Sequence, residues 1–525
     1  MHENTPQARV TPAPLIARTL TRRDILATGA MAGGALLIGG RATAQQGQPT
    51  TPSTPPAPPQ PDRDFTFQEE NPARDNVPPG HEHFPPGEPG RDYTPVIVPN
   101  GWTLPYTVVD GVKVFHLVAE EVQNEFAPGL VATCWGYNGG VHGPVIEAVE
   151  GDRVRIFVTN KLAAATTVHW HGFILPSGMD GVGGLSQRSI LPGETFMYEF
   201  TLVQHGTLMY HSHHDEMTQM GMGMTGMFII HPRRPSGPRP DRDFVILLHE
   251  WRIEPGASRP DPNEMVEFNV LTMNAKAFPG TRPLVAKLGD RVRIRIGNLS
   301  AMNHHPIHLH GYYFLITETD GGSIPEAGRW PETTVLVPVG STRTIEFTAD
   351  NPGDWALHCH MTHHVMNQMG ENLTNMIGVD ARGLDSRVRS LLPGYMTMGQ
   401  RGMEGMSDMG MAVPANSIPM LGAAGPYDEI TMGGMFTTLK VRERLANYND
   451  DPGWYDAPPG TVADVATNDA LRANGVTPDA SGAARAPAQA ARAWRQAPSG
   501  RLQEQAPAGD VGERGGGNER HEGHR

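Results

Sequence analysis

Five soft or borderline metal ligands, His358, Cys359, His360, His364 and Met369, fall within twelve consecutive residues of this 525-residue chain. Thiolate, imidazole and thioether together make the donor set of a blue-copper electron-transfer centre, in which two histidines and a cysteine lie trigonal and a methionine sits axial. Cys359, His364 and Met369 supply three of those four ligands. The residues just before them, Asp354-Trp-Ala-Leu, read as strand, and on a strand successive side chains point to opposite faces. His358 and His360 then face away from Cys359, so a single tripeptide touches two metal centres.

Three more His-x-His units join it: His169-Trp-His171, His211-Ser-His213 and His308-Leu-His310. On a strand, at ~3.3 Å rise per residue, each pair projects both imidazoles from one face about 7 Å apart, a spacing that suits bridging or ligating adjacent metals. Imidazole suits copper, zinc, iron and nickel, whereas the Cys/His/Met set selects copper. Eight histidines with no intervening carboxylate suit about three copper ions. The constellation implies a trinuclear cluster fed by a blue-copper centre.

The elements that position these residues read as many short strands. Gly (61) and Pro (48) are abundant and long helical periodicities are scarce. Gly151-Asp-Arg-Val-Arg-Ile recurs as Gly289-Asp-Arg-Val-Arg-Ile, each ahead of a histidine pair, and Asn160 matches Asn298. Leu191-Pro-Gly-Glu-Thr-Phe-Met-Tyr-Glu-Phe likewise parallels Val337-Pro-Val-Gly-Ser-Thr-Arg-Thr-Ile-Glu-Phe. An internal repeat of about 140 residues is a duplicated domain, so the expected fold is all-β, with two copies of an antiparallel sandwich over 93–235 and 243–380.

At these four histidine motifs the chain resembles the multicopper oxidases, over residues 95–380 or so. The resemblance implies tandem cupredoxin-like domains and about four copper ions per subunit. It adds His305 to Cys359, His364 and axial Met369 as type 1 ligands. It places His169 and His308 on the type 2 copper, and His171, His211, His213, His310, His358 and His360 on the type 3 pair. Ser212 stands in the first repeat where Cys359 stands in the second, so the first domain has no blue-copper centre. The 92 residues from His213 to His305 leave no room for a middle domain, which makes the chain similar to the two-domain, laccase-like branch. In that branch neighbouring subunits complete each cluster around a threefold axis, and a homotrimer is expected.

The implied reaction takes single electrons from a phenol or aromatic amine at the type 1 site and reduces dioxygen to water. A cuprous or other metal-ion oxidase active in copper tolerance is the alternative, and a non-enzymatic copper carrier is disfavoured. A copper nitrite reductase is disfavoured too, because its blue-copper site belongs where Ser212 stands. Asp180 resembles the family's acid near the type 2 copper and is expected to relay protons; as a bare sequence feature it is equally a turn-former before Gly181. Cuprous oxidases of the family often carry an acid after the second type 1 histidine, where this chain has Val365. Asp215 or Glu216 would have to serve instead.

The remaining features set the context. Thr21-Arg22-Arg23-Asp24, an apolar run and Ala42-Thr43-Ala44 make residues 1–44 a twin-arginine export signal, so a periplasmic or extracellular location is expected. The apolar run is too short for a stable span. Residues 45–92 read as a Pro-rich arm, 381–446 as a Met-rich extension with a strand near Ile430, and 447–525 as a disordered tail. Two cysteines exclude a disulfide framework, and Cys134 reads as a small buried hydrophobe. The net charge of −14 excludes a nucleic-acid surface. Met217, Met220, Met222, Met224 and Met227 read as packing, with copper(I) landing as the alternative. For Met396, Met398, Met403, Met406, Met409 and Met411 the two readings balance.

Overall fold

A computed structural model describes residues 84–264, 266–368, 387, 390–391, 415–420 and 422–476. The first repeat forms nine strands: β1 (Thr107–Val109), β2 (Val112–Ala127), β3 (Leu130–Tyr137), β4 (Ile146–Val149), β5 (Arg153–Asn160), β6 (His169–His171), β7 (Thr195–Thr201), β8 (Gly206–His211) and β9 (Thr225–His231). One helix, α1 (Glu216–Gly221), intervenes between β8 and β9. Strands β1, β2, β5 and β7 lie in that order in one sheet, with β3 also on β2; the facing sheet runs β4-β9-β8-β6. Strict alternation makes the sandwich. In β5, Val154, Ile156, Val158 and Asn160 are buried while Arg153, Arg155, Phe157 and Thr159 are only partly so. The core is aromatic, with Phe115, Trp170, Tyr198, Phe200, Tyr210 and Phe228 all nearly inaccessible. Each buried Phe among them contributes roughly 1.5–3 kcal/mol by leaving water.

The second repeat forms β10 (Arg242–Trp251), β11 (Val270–Met273), β12 (Leu284–Lys287), β13 (Arg291–Asn298), β14 (His305–Leu309), β15 (Phe314–Thr319), β16 (Gly322–Ser323), β17 (Trp330–Glu332), β18 (Thr334–Val337), β19 (Ser341–Thr348) and β20 (Gly353–Cys359). A small hairpin, β21 (Ala423–Ala424) with β22 (Glu429–Ile430), precedes β23 (Phe436–Arg442). One sheet runs β11-β10-β13-β19-β15-β16, with β17 also on β15, and the other β12-β23-β20-β14-β18. Strand β23 thus lies inside the second sheet although its sequence falls beyond 243–380, in the span read as an extension. All seven of its residues are buried, which a peripheral strand would not require.

The two-sandwich, all-β architecture matches the sequence reading, but each sheet holds one parallel pair: β2 with β5, β4 with β9, β10 with β13 and β12 with β23. The chain crosses between sheets before it returns, so strands enter side by side in the same direction. Residues 447–456, expected in the structureless tail, instead lie on the second sandwich. Tyr448 stacks on Arg242, Trp454 on Lys440 and Tyr455 on Arg442, and Tyr455 N–H donates to Asp354. Cationic stems under aromatic rings give this polar segment a surface to hold.

The two sandwiches share a seam. Met209, Met227 and Ile229 pack against Val245, Leu247 and Leu299. Beside them buried Arg295 binds Asp243 at 2.8 and 3.0 Å, Glu318 at 3.1 Å and Thr207 of the first sandwich at 2.8 Å. Burial alone would raise the Glu318 carboxyl, but Arg295 and Arg293 outweigh it and hold it at about 2. No helix among the described residues is long and apolar enough to cross a membrane.

Candidate metal centres

Strands β14 and β20 pair so that Ile307 faces Cys359 and His308 faces His358. Alternation then sorts the ligands. His305, Ile307 and Cys359 point into the sandwich, while His308, His358 and His360 point out of it. A 3-10 turn over Thr362–Val365 brings buried His364 back over Cys359. His305 Nδ1 lies 3.1 Å from His364 Nδ1, and Cys359 Sγ lies 3.7 and 3.5 Å from them. Three atoms at those separations lie on a circle of radius about 2 Å, the bond length at which nitrogen and sulfur hold a first-row metal. The residues therefore fit the expected ion.

Burial holds the His305 imidazole far below its usual range and His364 at about 4, so both are neutral donors. It also pushes the Cys359 thiol up to about 12, and a bound cation would displace that proton. Ser300 Oγ lies 2.7 Å from His305 Nε2 and leaves Nδ1 facing the sulfur. Sequence reading missed Ser300, because no motif marks it. Met369 lies outside the described residues.

The eight remaining histidines form two sets. In the first sandwich β6 pairs with β8, setting His169 opposite His211 with ring centroids 5.3 Å apart; His171 and His213 complete the set. Trp170, between His169 and His171, is buried in the core, so those two imidazoles share the outer face. In the second, His308, His310, His358 and His360 meet likewise, with His310 Nε2 3.1 Å from His358 Nε2. No ring contact among the described residues joins one set to the other.

Main-chain carbonyls fix which nitrogens remain available. His169 Nδ1 donates to Asp180 O at 2.8 Å, His171 Nε2 to Gly340 O at 2.9 Å, His308 Nδ1 to Thr333 O at 2.7 Å and His358 Nδ1 to Cys359 O at 2.8 Å. Asp180 therefore meets His169 through its carbonyl, and its half-exposed carboxylate lies 3.5 Å from the same Nδ1. Gly181 permits this approach: its φ is +82°, and a Cβ there would fall 1.7 Å from Val168 O. Glu216 lies 3.2 Å from His213 Nε2, beside the first set, while Asp215 caps α1 from a left-handed conformation.

The first sandwich has a counterpart of the Cys359 pocket. Asn160 bonds Ala164 O, Ile190 O and Leu162 N as Asn298 bonds Asn303 O, Val337 O and Ser300 N, which sets Thr166 at the station of His305. Ser212 N donates to Met224 O and Met224 N to Gln219 O; Cys359 N donates to Met435 O and Met435 N to His364 O. Gln219 therefore holds the station of His364. Thr166, Ser212 and Gln219 are fully buried. Gln219 Oε1 accepts from Thr166 Oγ1 at 2.7 Å and from Ser212 Oγ, and Gln219 Nε2 donates to Ala165 O at 2.7 Å. Sequence reading recognised Ser212 but not Gln219, which lies seven residues beyond Ser212 where His364 lies five beyond Cys359.

Two multicopper oxidase family models match, over residues 119–235 and 254–378. The chain belongs to the multicopper oxidase family. Multicopper oxidases hold copper in type 1, type 2 and type 3 sites, and this one is of the two-domain kind. It is 42% identical over 126 residues to copper resistance protein A of Pseudomonas syringae pv. tomato, covering 24% of this chain and 20% of that one. It is 28% identical over 211 residues to Laccase-1 of Cryptococcus neoformans var. grubii, covering 35% and 34%. The chain thus spans about a fifth and a third of these curated relatives. A blue copper oxidase structure from Nitrosomonas europaea aligns at 26% identity over 62% of this chain and 85% of that one, with a TM-score of 0.47. Of the methionines, Met222, Met224 and Met227 are buried and Met220 packs at the seam, while Met217 is exposed; Met396 to Met411 lie outside the described residues.

Proposed function

We propose that this multicopper oxidase couples one-electron oxidation of a phenol or aromatic amine, as a laccase does, to reduction of dioxygen to water. The observation that carries the reading is the tripeptide His358-Cys359-His360, with its sulfur in the buried triangle and both imidazoles in the outer histidine set. His305, Cys359, His364 and Met369 would hold the type 1 copper. His169 and His308 would hold type 2, and His171, His211, His213, His310, His358 and His360 the type 3 pair. Copper in these sites supplies stepwise electron acceptance and dioxygen reduction. The chain's own contribution is the short link between the centres: His358 Nδ1 donates to the main-chain carbonyl of Cys359, the sulfur-bearing residue itself.

On this reading each histidine set is half a trinuclear site, and among the described residues no ring contact joins the two sets of one chain. A second copy supplies the complement, which supports a homotrimer with clusters between subunits. Exposed apolar side chains agree with a covered face: Leu336 lies beside Pro306 and His308 on the outer face of β18, and Ile174 lies three residues beyond His171. A copper-loaded monomer with full activity in sedimentation would sink the trimer. The 3.5 Å separation of the Asp180 carboxylate from His169 Nδ1 supports a proton-exchange role, which normal dioxygen reduction by Asp180→Asn would remove. The Thr21-Arg22-Arg23 segment supports export by the twin-arginine route to the periplasm or beyond.

A cuprous oxidase is the second reading. Met302 (56% exposed) and Met361 (41% exposed) each stand three residues before a type 1 histidine, and thioethers favour copper(I). Similarity to a copper resistance protein supports the same reading. Oxygen uptake by the copper-loaded chain with a dimethoxyphenol and with copper(I) separates the two. Replacing Met302 and Met361 by Leu lowers only the cuprous rate if that reading holds. No uptake with either reductant at full copper loading would overturn both.

A further inference from the structure

We infer that Thr166, Ser212 and Gln219 form a metal-free lock, with Gln219 as its keystone, that positions the first sandwich's histidines for the trinuclear copper as the type 1 metal does in the second. The inference rests on the proposed cluster ligands and adds a residue that touches none of the copper. Gln219 is a positioning residue, not a catalytic one.

The lock spans the strands that carry the ligands. Ala165 and Thr166 precede His169, and Ser212 lies between His211 and His213. One amide bonds all three stations: its carbonyl receives the two hydroxyls and its N–H reaches Ala165 O. With Ser212 drawn inward, alternation along β8 turns His211 outward beside His169. The amide's main chain is tied in as well, since Gln219 O accepts from Met224 N, whose carbonyl accepts from Ser212 N. Every polar atom of the Gln219 side chain named here is paired, in a pocket with no measurable exposure. A buried amide with two or three bonds fixes its surroundings because leaving any one partner unpaired costs about 1–3 kcal/mol.

The second sandwich lacks such a lock. His305 Nδ1, His364 Nδ1 and Cys359 Sγ converge on one point, 3.1, 3.7 and 3.5 Å from one another, where one cation would reach all three donors. On this inference the first half-set relies on the Gln219 amide for its positioning, and the second on the type 1 ion.

The test uses the full chain loaded with copper. Gln219→Met keeps the length of the side chain and removes its hydrogen bonds. Gln219→Glu, kept protonated by burial, restores an acceptor for Thr166 and Ser212 and a donor for Ala165 O. Copper per chain, the type 2 electron paramagnetic resonance signal and the blue thiolate band are measured during competition with a chelator. Gln219→Met should lose cluster copper at roughly 10- to 100-fold lower chelator concentration while the blue band holds, the usual cost of removing a group that orients a ligand. Gln219→Glu should restore the wild-type titration. If Gln219→Met only lowers the melting temperature, with cluster copper and the type 2 signal unchanged, the inference is overturned. Should Gln219→Met fail to fold, Thr166→Val with Ser212→Ala leaves the amide in place and reads the same loss. A wild-type chain with a blue band but no cluster copper would instead overturn the proposed ligand assignment beneath it.

Discussion

Ser212 and Cys359 occupy the same station in two repeats and are held by the same pair of main-chain bonds, yet Ser212 donates to an amide while Cys359 faces two imidazoles. The frame is common: Asn160 and Asn298 bind equivalent carbonyls and amides, and Met224 and Met435 bridge equivalent strands. A copper pocket is therefore not a property of the sandwich. It depends on three side chains at three stations together, because a soft ion needs every donor within bonding distance and leaves a neutral, dry cavity unstable when one is missing. Where Thr, Ser and Gln stand at all three stations, hydrogen bonds close the pocket instead.

Breaking the metal-binding member of the pair has the largest expected effect. Cys359→Ser removes the soft donor and the link to His358 and His360, so the blue band disappears and turnover falls on the order of a thousandfold or more, about 4 kcal/mol of barrier. Steady-state oxygen uptake at matched cluster copper checks it. A smaller effect follows at Ser300, whose counterpart in the first repeat is Leu162; both follow the strand asparagine by two residues and donate N–H to it. Ser300→Ala leaves His305 Nε2 without its partner and should weaken type 1 copper roughly 10- to 100-fold against a chelator. The smallest effect is expected of Ser212→Cys. Thr166 and Gln219 still occupy the other stations, so copper per chain stays unchanged, and the weaker S–H donor costs about 1 kcal/mol of stability by urea unfolding. A new blue band from that single change would show that the three stations need not act together.

Much of this comparison was legible in residue order, and the part that was not has physical reasons. His169-Trp-His171 on β6 and Cys359 beside His358 on β20 are local facts of the two-residue period, whereas in the other three pairs the strand ends before the second histidine. The repeat was legible because Gly-Asp-Arg-Val-Arg-Ile recurs unchanged. Gln219 was not, because a six-residue helix rather than a 3-10 turn carries it to its station and the residue count no longer matches. Strand β23 was legible as a strand that packs on the core, but it was assigned to the extension rather than to the second sheet because long stretches of chain separate it from its partners β20 and β12. The docking of 447–456 escaped notice because its composition is polar and its hold is a few rings over cationic stems.

By itself, then, the sequence determined which donors exist, which of them share a face of a strand, and that only the second repeat places a cysteine between paired histidines. Those follow from side-chain chemistry and a two-residue period. Only the tertiary structure decided which nitrogen each imidazole presents, that Gln219 stands where His364 does, and that no ring contact among the described residues joins the two histidine sets. These depend on carbonyls and side chains brought together from distant strands, and on the fixed placement of one sandwich against the other.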